Sequence, residues 1–274
     1  IWFPISDQET KMKKGEISAG NALELCQNLR KGDSALIENY FKMLYFQAES
    51  KKANAVLLSA EGLGHDLSEE KKLKMVQNAA HKAGFEAVSV IAYFRNLVDH
   101  CLSLYKHRSK SGKNPDFDYW VKEVYETPEV LQHFFSNYQK VDFEWTLRKF
   151  KKDADFMHAS FFKEWLGVEL TSIPEKPKVN ESITLSEVKL MQQLKKRFPK
   201  TSDYFLKKLI DLPKNKKAKD QVLEQNYRAD AATILTNKYE KHVDEWNKQL
   251  ITDESIQIEP YERDNEDNFD LSLS

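Results

Sequence analysis

The sequence predicts an α/β protein: a parallel central sheet flanked by helices, with a helix-rich C-terminal part. Three short runs are rich in β-branched or aromatic residues and bounded by turn residues, at positions 54–60, 86–94 and 155–161, the profile of strands buried on both faces. Helical periodicity precedes the first two and resumes after the second, and strand–helix alternation implies parallel strands joined by right-handed crossovers in a doubly wound layer.

Taken in order, residues 34–50 place Leu36, Ile37, Tyr40, Phe41, Leu44 and Tyr45 at three- and four-residue intervals, which predicts the first long helix. The strand Asn54-Ala55-Val56-Leu57-Leu58-Ser59-Ala60 follows. Ser68-Glu69-Glu70 has the form of a capped start for a helix that Gly84 ends at about residue 83. The apolar run 86–94 is the second strand, and a helix from 97 to about 106 leaves it directly. Further helices are expected over 117–124, 128–138, 143–151, 186–197, 203–211 and 218–250, and the third, weaker strand over 155–161. Residues 171–184, with Pro174 and Pro177, form a connection. Lys214-Asn215-Lys216-Lys217 reads as a hinge, so the expected organisation is a core over 1–213, a C-terminal helix over 214–250 packed on or extending from it, and a tail over 251–274.

That tail hides in the overall charge. The 274 residues carry a net charge of −1, but between Asp253 and Asp270 eight acids stand against one base, a local −7 that leaves +6 on the rest. Such a stretch reads as a solvated tail, and the basic body is compatible with an anionic ligand. Cys26 and Cys101 lie far apart without a Cys-x-x-Cys, which excludes a disulfide scaffold and an ordinary zinc module. The seven histidines form no metal-ligand spacing, so no metal is expected. No run of 18 apolar residues and no secretory leader is present, and a cytoplasmic protein without a membrane span is expected. The aromatics Phe134, Phe135, Tyr138, Phe143, Trp145 and Phe150 read as core; with no nucleic-acid motif beside their basic neighbours, nucleic acid is not an expected partner.

Ligands of open parallel sheets bind beyond the carboxyl ends of the strands. Two such places are rich in polar groups. After the first strand come Glu61-Gly62-Leu63-Gly64-His65-Asp66, and after the second come Arg95-Asn96, with Ser103 eight residues beyond Arg95. Arg95 at the mouth of a helix, with a hydroxyl about two turns on, suits a phosphate held by a guanidinium fork. The competing reading pairs Arg95 with Asp99, makes Ser103 a small packing residue and pairs Glu61 with a nearby lysine.

Tyr93-Phe94-Arg95-Asn96-x-x-Asp99-x-x-x-Ser103-x-Tyr105 resembles the 3′-phosphate-binding segment of the sulfotransferases. Leu57-Leu58-Ser59-Ala60-Glu61 is similar to a strand end of their bacterial branch, and Lys178-Val179-Asn180-Glu181-Ser182 to that branch's Asn-x-Ser loop. The resemblance spans about residues 55–186. It implies a P-loop-like nucleotide-binding fold and transfer of a sulfuryl group from 3′-phosphoadenosine 5′-phosphosulfate to a hydroxyl of a saccharide or another small polar acceptor. Arg95 and Ser103 would then grip the 3′-phosphate, Lys178 and Asn180 would close over it, and Glu61 would be the general base, with His65 in reserve. The family's 5′-phosphosulfate loop has no counterpart in the chain: Ser109-Lys110-Ser111-Gly112-Lys113 follows a helix and reads as a surface turn. The loop is expected upstream of Ile1. The alternatives are a non-catalytic nucleotide-binding pseudoenzyme, a nucleotide-dependent phosphotransferase and a helix-rich interaction protein.

Overall fold

The computed structural model describes residues 1–4, 20–111, 114–151, 158–169, 183–199, 221–250, 256 and 258. It is a mixed α/β protein, mostly helical, and the described residues form one two-stranded parallel sheet. The main elements are α1 (Leu23–Lys31), α2 (Ser34–Ser50), α3 (Glu70–Ala83), β1 (Ser89–Phe94), α4 (Leu97–Arg108), α5 (Thr127–Asn137), β2 (Glu144–Lys149), α6 (Leu185–Arg197) and α7 (Gln221–Asn247). The described residues group into two compact units. The first draws on Ile1–Phe94, Pro128–Glu181 and Lys248–Glu254, the second on Arg95–Thr127, Ser182–Asn247 and Ser255–Ser274.

In the first unit, the Asp33 carboxylate caps α2 by accepting from the backbone N–H groups of Ala35 (2.9 Å) and Leu36 (3.2 Å). The predicted stripe then buries Ile37, Tyr40, Phe41 and Leu44 against Leu73, Val76, Ala79 and Ala80 of α3. Burial of a side chain such as Ile37 or Leu73 contributes about 1.5–3 kcal/mol. Gly84 ends α3 as expected, at a left-handed φ of 107°. The start differs from expectation: Ser68 Oγ donates to the His65 carbonyl (2.8 Å), and no side chain caps the helix. Phe134, Phe135, Tyr138 and Phe143 are buried, and Trp145 packs edge-on to Phe134 at 5.3 Å, so these aromatics are core as expected.

Three of the expected elements are corrected. Residues 143–151 are not a helix: Glu144–Lys149 is strand β2, paired in parallel with β1 from Ser89↔Glu144 to Phe94↔Lys149. Apolar and polar residues alternate strictly from Val141 to Arg148, a period of two that suits a pleat and that the aromatic spacing masked. The strand expected over 54–60 is an extended segment whose only ladder contact among the described residues is the bridge Trp2↔Val56. There, Trp2 N–H donates to the Ala55 carbonyl (2.7 Å), and Leu57 N–H donates to the Trp2 carbonyl (2.9 Å). The Asn21 side chain also serves this backbone, donating through Nδ2 to the Leu57 carbonyl (2.8 Å) and accepting at Oδ1 from Ser59 N–H (2.7 Å). One amide side chain thereby takes the place of a neighbouring strand. Gly20 makes this approach possible, since a Cβ there would lie 2.0 Å from the Ser59 carbonyl oxygen. Of the third expected strand, residues 155–157 lie outside the described residues, and 158–161 belong to the π-helical stretch His158–Trp165. Its Phe161 carbonyl accepts from Leu166 N–H, the i to i+5 pattern of a π turn (3.0 Å).

In the second unit, α4 lies against α7. Arg228 binds Asp99 and also reaches Glu224 (3.1 Å), while Lys106 binds Glu224 (2.8 Å). Buried Tyr105 packs on Phe117 (5.0 Å) and Trp120 (5.7 Å), and Phe117 stacks on Tyr227 at 4.5 Å. Residues 117–124 are helical as expected, with the π form over Trp120–Val124. Helices α5, α6 and α7 match the expected spans to within a few residues. The α6 start carries a capping box, Thr184 with Glu187. The helix expected over 203–211, the hinge and most of the acidic tail lie outside the described residues.

Candidate functional site

The first group of candidates sits in the first unit, immediately after the extended segment. Glu61 and His65 are both exposed, on a turn whose helical part is Leu63–Asp66. Glu61 makes no hydrogen bond or ion pair among the described residues. The lysine partner that would have made it an ordinary surface carboxylate is therefore not seen there. Next to it is an arrangement the sequence did not announce. Asp66 has no solvent exposure, and its carboxylate receives Arg30 Nε (3.2 Å) and Lys72 Nζ (3.1 Å). Burial, and then the charge of Asp66, push the Cys26 thiol up from its ordinary pKa, which keeps it protonated and inert. The only sequence signal for this cluster was an acid between His65 and Leu67 inside a turn.

The second group sits in the second unit. Arg95 directly follows β1 in the chain, and Asn96 is the N-cap of α4: its Oδ1 accepts from the backbone N–H groups of Val98 (2.9 Å) and Asp99 (3.1 Å). Two of the free N–H groups of that helix end are thus already satisfied, so an anion there would depend on Arg95 more than on the backbone. The competing sequence reading paired Arg95 with Asp99, but the Asp99 carboxylate is held by Arg228. Ser103 is half-buried, one turn from Asp99 on one side and from Lys106 on the other. It therefore lies on the stripe of α4 whose charged members are paired to α7. Ser109–Ser111 is a short 3₁₀ turn at the end of α4; against the surface turn expected there, Ser109 is fully buried and accepts from Asn114 Nδ2 (3.1 Å), and Gly112 and Lys113 lie outside the described residues. Lys178 and Asn180 lie outside the described residues.

His100, one turn into α4, also went unnoticed in the sequence. The Tyr125 hydroxyl donates to the Leu97 carbonyl (3.2 Å), which leaves its oxygen to accept from His100 Nδ1–H (3.0 Å) and sets the tautomer. Burial first, then the positive charges of Arg95 and Arg108, lower the His100 pKa from 6.5 to about 4. Burial is the main cause of its neutrality, and the arginines at the two ends of α4 add to it.

A pH dependence follows. The unfolded chain binds a proton at His100 near pH 6.5 and the folded chain only near 4, so protonation favours unfolding. The stabilisation is complete above about pH 6.5 and falls by about 2–3 kcal/mol as the pH drops to about 4. Urea unfolding of the protein and of His100→Gln across pH 4–7 should show the two stability curves converging as the pH falls. Parallel curves would show that His100 does not titrate this way.

Among the described residues no group of three or more His, Cys, Asp or Glu is placed to hold a metal ion, and no helix is long and apolar enough to cross a membrane. Comparison of the chain with protein-family models, with curated proteins and with solved structures finds no match in any of the three.

Proposed function

We propose that the protein transfers a sulfuryl group from 3′-phosphoadenosine 5′-phosphosulfate to a hydroxyl of a saccharide or another small polar acceptor. The observation that carries the reading is the junction after β1: a parallel strand runs directly into Arg95, the helix that follows is capped by Asn96, and Ser103 stands on that helix. The rise from Asn96 to Ser103 is about 10 Å, an interval that a phosphate and an arginine side chain laid along the helix can bridge. The charge of Arg95, which also contributes to keeping His100 neutral, favours the same kind of ligand. The resemblance of this segment, and of the segments around Glu61 and Asn180, to the sulfotransferases supplies the identity of the donor.

In this reading Arg95 and Ser103 bind the donor's 3′-phosphate, and Lys178 and Asn180 close over it. Glu61, exposed and free of partners among the described residues, takes the proton of the acceptor hydroxyl. The acceptor oxygen forms a bond to sulfur as the bond between sulfur and the donor's bridging phosphate oxygen breaks, and 3′-phosphoadenosine 5′-phosphate leaves. His65 is the reserve base.

Calorimetric titration tests the reading without an acceptor. The protein is expected to bind 3′-phosphoadenosine 5′-phosphate at least about tenfold more tightly than ATP, because a group built for the 3′-phosphate has no partner on ATP. Equal affinity for the two, or binding of neither, would overturn the proposal.

A further inference from the structure

Arg30 leaves the last turn of α1 with one edge of its guanidinium occupied. Its Nε lies 3.2 Å from Asp66 Oδ2 and 3.4 Å from Oδ1. The carboxylate that anchors it is fully buried and is shared with Lys72, which Glu69 also pairs, so two acids balance two cations. Lys72 is 13% exposed and also reaches Glu69 (2.9 Å), whereas Arg30 is 54% exposed and its Nη groups have no partner among the described residues. The cation of the cluster that meets solvent is therefore Arg30, at its Nη edge.

The guanidinium is oriented by its Nε contact with the buried Asp66 carboxylate. Its Nη2 lies beside Gly62, where a Cβ would come within 2.6 Å of it. Gly62 is the neighbour of Glu61, and a Cβ at Gly64 would meet nothing within 4 Å among the described residues, so the turn beyond is open to them. An oriented fork of N–H donors and an exposed carboxylate stand one peptide apart, on a turn with room for a ligand.

We infer that Arg30 and Glu61 form a subsite for an acidic sugar, a pyranose bearing a carboxylate. The Nη edge of Arg30 takes the ligand's carboxylate in two parallel charge-assisted hydrogen bonds, and Glu61 accepts a hydrogen bond from a hydroxyl of the same molecule. A neutral sugar leaves the fork without its anionic partner. An anion without a hydroxyl meets the charge of Glu61 with nothing to offset it. The inference rests on the reading of Glu61 as the residue that faces the acceptor, and narrows that acceptor from saccharides in general to those carrying an acid.

The probes are D-glucuronate and D-glucose, titrated into the protein while the arginine Nε resonances are followed by NMR. The protein is expected to bind D-glucuronate about tenfold more tightly than D-glucose, with the Arg30 Nε signal shifting. Arg30→Gln should erase the preference. Arg30→Lys should reduce it as well, because an ammonium can still pair with Asp66 but offers no second edge of parallel donors. If Arg30→Gln fails to fold, having taken a partner from a buried carboxylate, Arg30→Lys decides. Equal affinity for the two sugars, or a preference unchanged in both variants, overturns the inference. Titrating 3′-phosphoadenosine 5′-phosphate into the same samples separates the two ideas: nucleotide binding without a sugar preference sinks the subsite alone, and a sugar preference without nucleotide binding sinks the sulfuryl-transfer reading alone.

Discussion

Arg95→Ala weakens binding of 3′-phosphoadenosine 5′-phosphate by about 100-fold or more, and thermal unfolding of the same variant reads separately what the other contacts of Arg95 contribute to the fold. Arg95 is half-buried at the first position after β1, and a fork bound to a phosphate contributes two charge-assisted hydrogen bonds. Asn96 caps α4 through its own side chain, so the helix start does not depend on Arg95. Asp99 is held by Arg228, so removing Arg95 leaves that carboxylate paired. Calorimetry measures the affinity, and the imidazole resonances of His100 supply an internal check. With the Arg95 charge gone, the His100 pKa should rise from about 4 while remaining below 6.5, since burial is the larger cause of its depression. A loss of affinity of less than about threefold would show that the 3′-phosphate is held elsewhere or not at all.

Glu61→Gln lowers sulfuryl transfer by about 100- to 10,000-fold, the usual contribution of a positioned general base, and leaves affinity for 3′-phosphoadenosine 5′-phosphate within about twofold. Glutamine keeps the shape of the side chain and its ability to accept a hydrogen bond, but it cannot take a proton at neutral pH. Because Glu61 is exposed and without partners among the described residues, the exchange costs the fold nothing. Chromatographic measurement of nucleotide product formed per unit time reads the effect. A variant that retains full rate moves the base elsewhere, and loss of the residual rate in the further substitution His65→Ala would identify His65 in its place.

The helices were legible because their signals are local. The periodicity of α2, the glycine that ends α3 and the spans of α5, α6 and α7 are properties of neighbouring residues. The errors lay where a distant partner decides. The alternation from Val141 to Arg148 was available as a strand signal, but the aromatic spacing competed with it, and only pairing with β1 selects the extended form. The segment 54–60 has strand composition, yet most of the partners described for its backbone come from Asn21 and Trp2. In the candidate sites, Glu61, His65, Arg95 and Ser103 could be singled out because they follow apolar runs or stand at helical spacing from one that does. Asp66, Arg30 and His100 could not, since their burial and partners are absent from their neighbourhoods in the chain.

The sequence by itself determined that this is a mixed protein dominated by helices, with a strand that passes directly into Arg95, Asn96 and a helix. These depend on side-chain periodicity and on backbone preferences that act within a few residues. Only the tertiary structure decided that the sheet pairs β1 with β2, that Asp99 serves Arg228 and not Arg95, and that Arg30 is held at Gly62 by a buried aspartate. Strand pairing and ion pairing both reward contacts between residues far apart in the chain. Which of several chemically equivalent partners is chosen is settled by the packing that brings one of them within reach and excludes water from the pair.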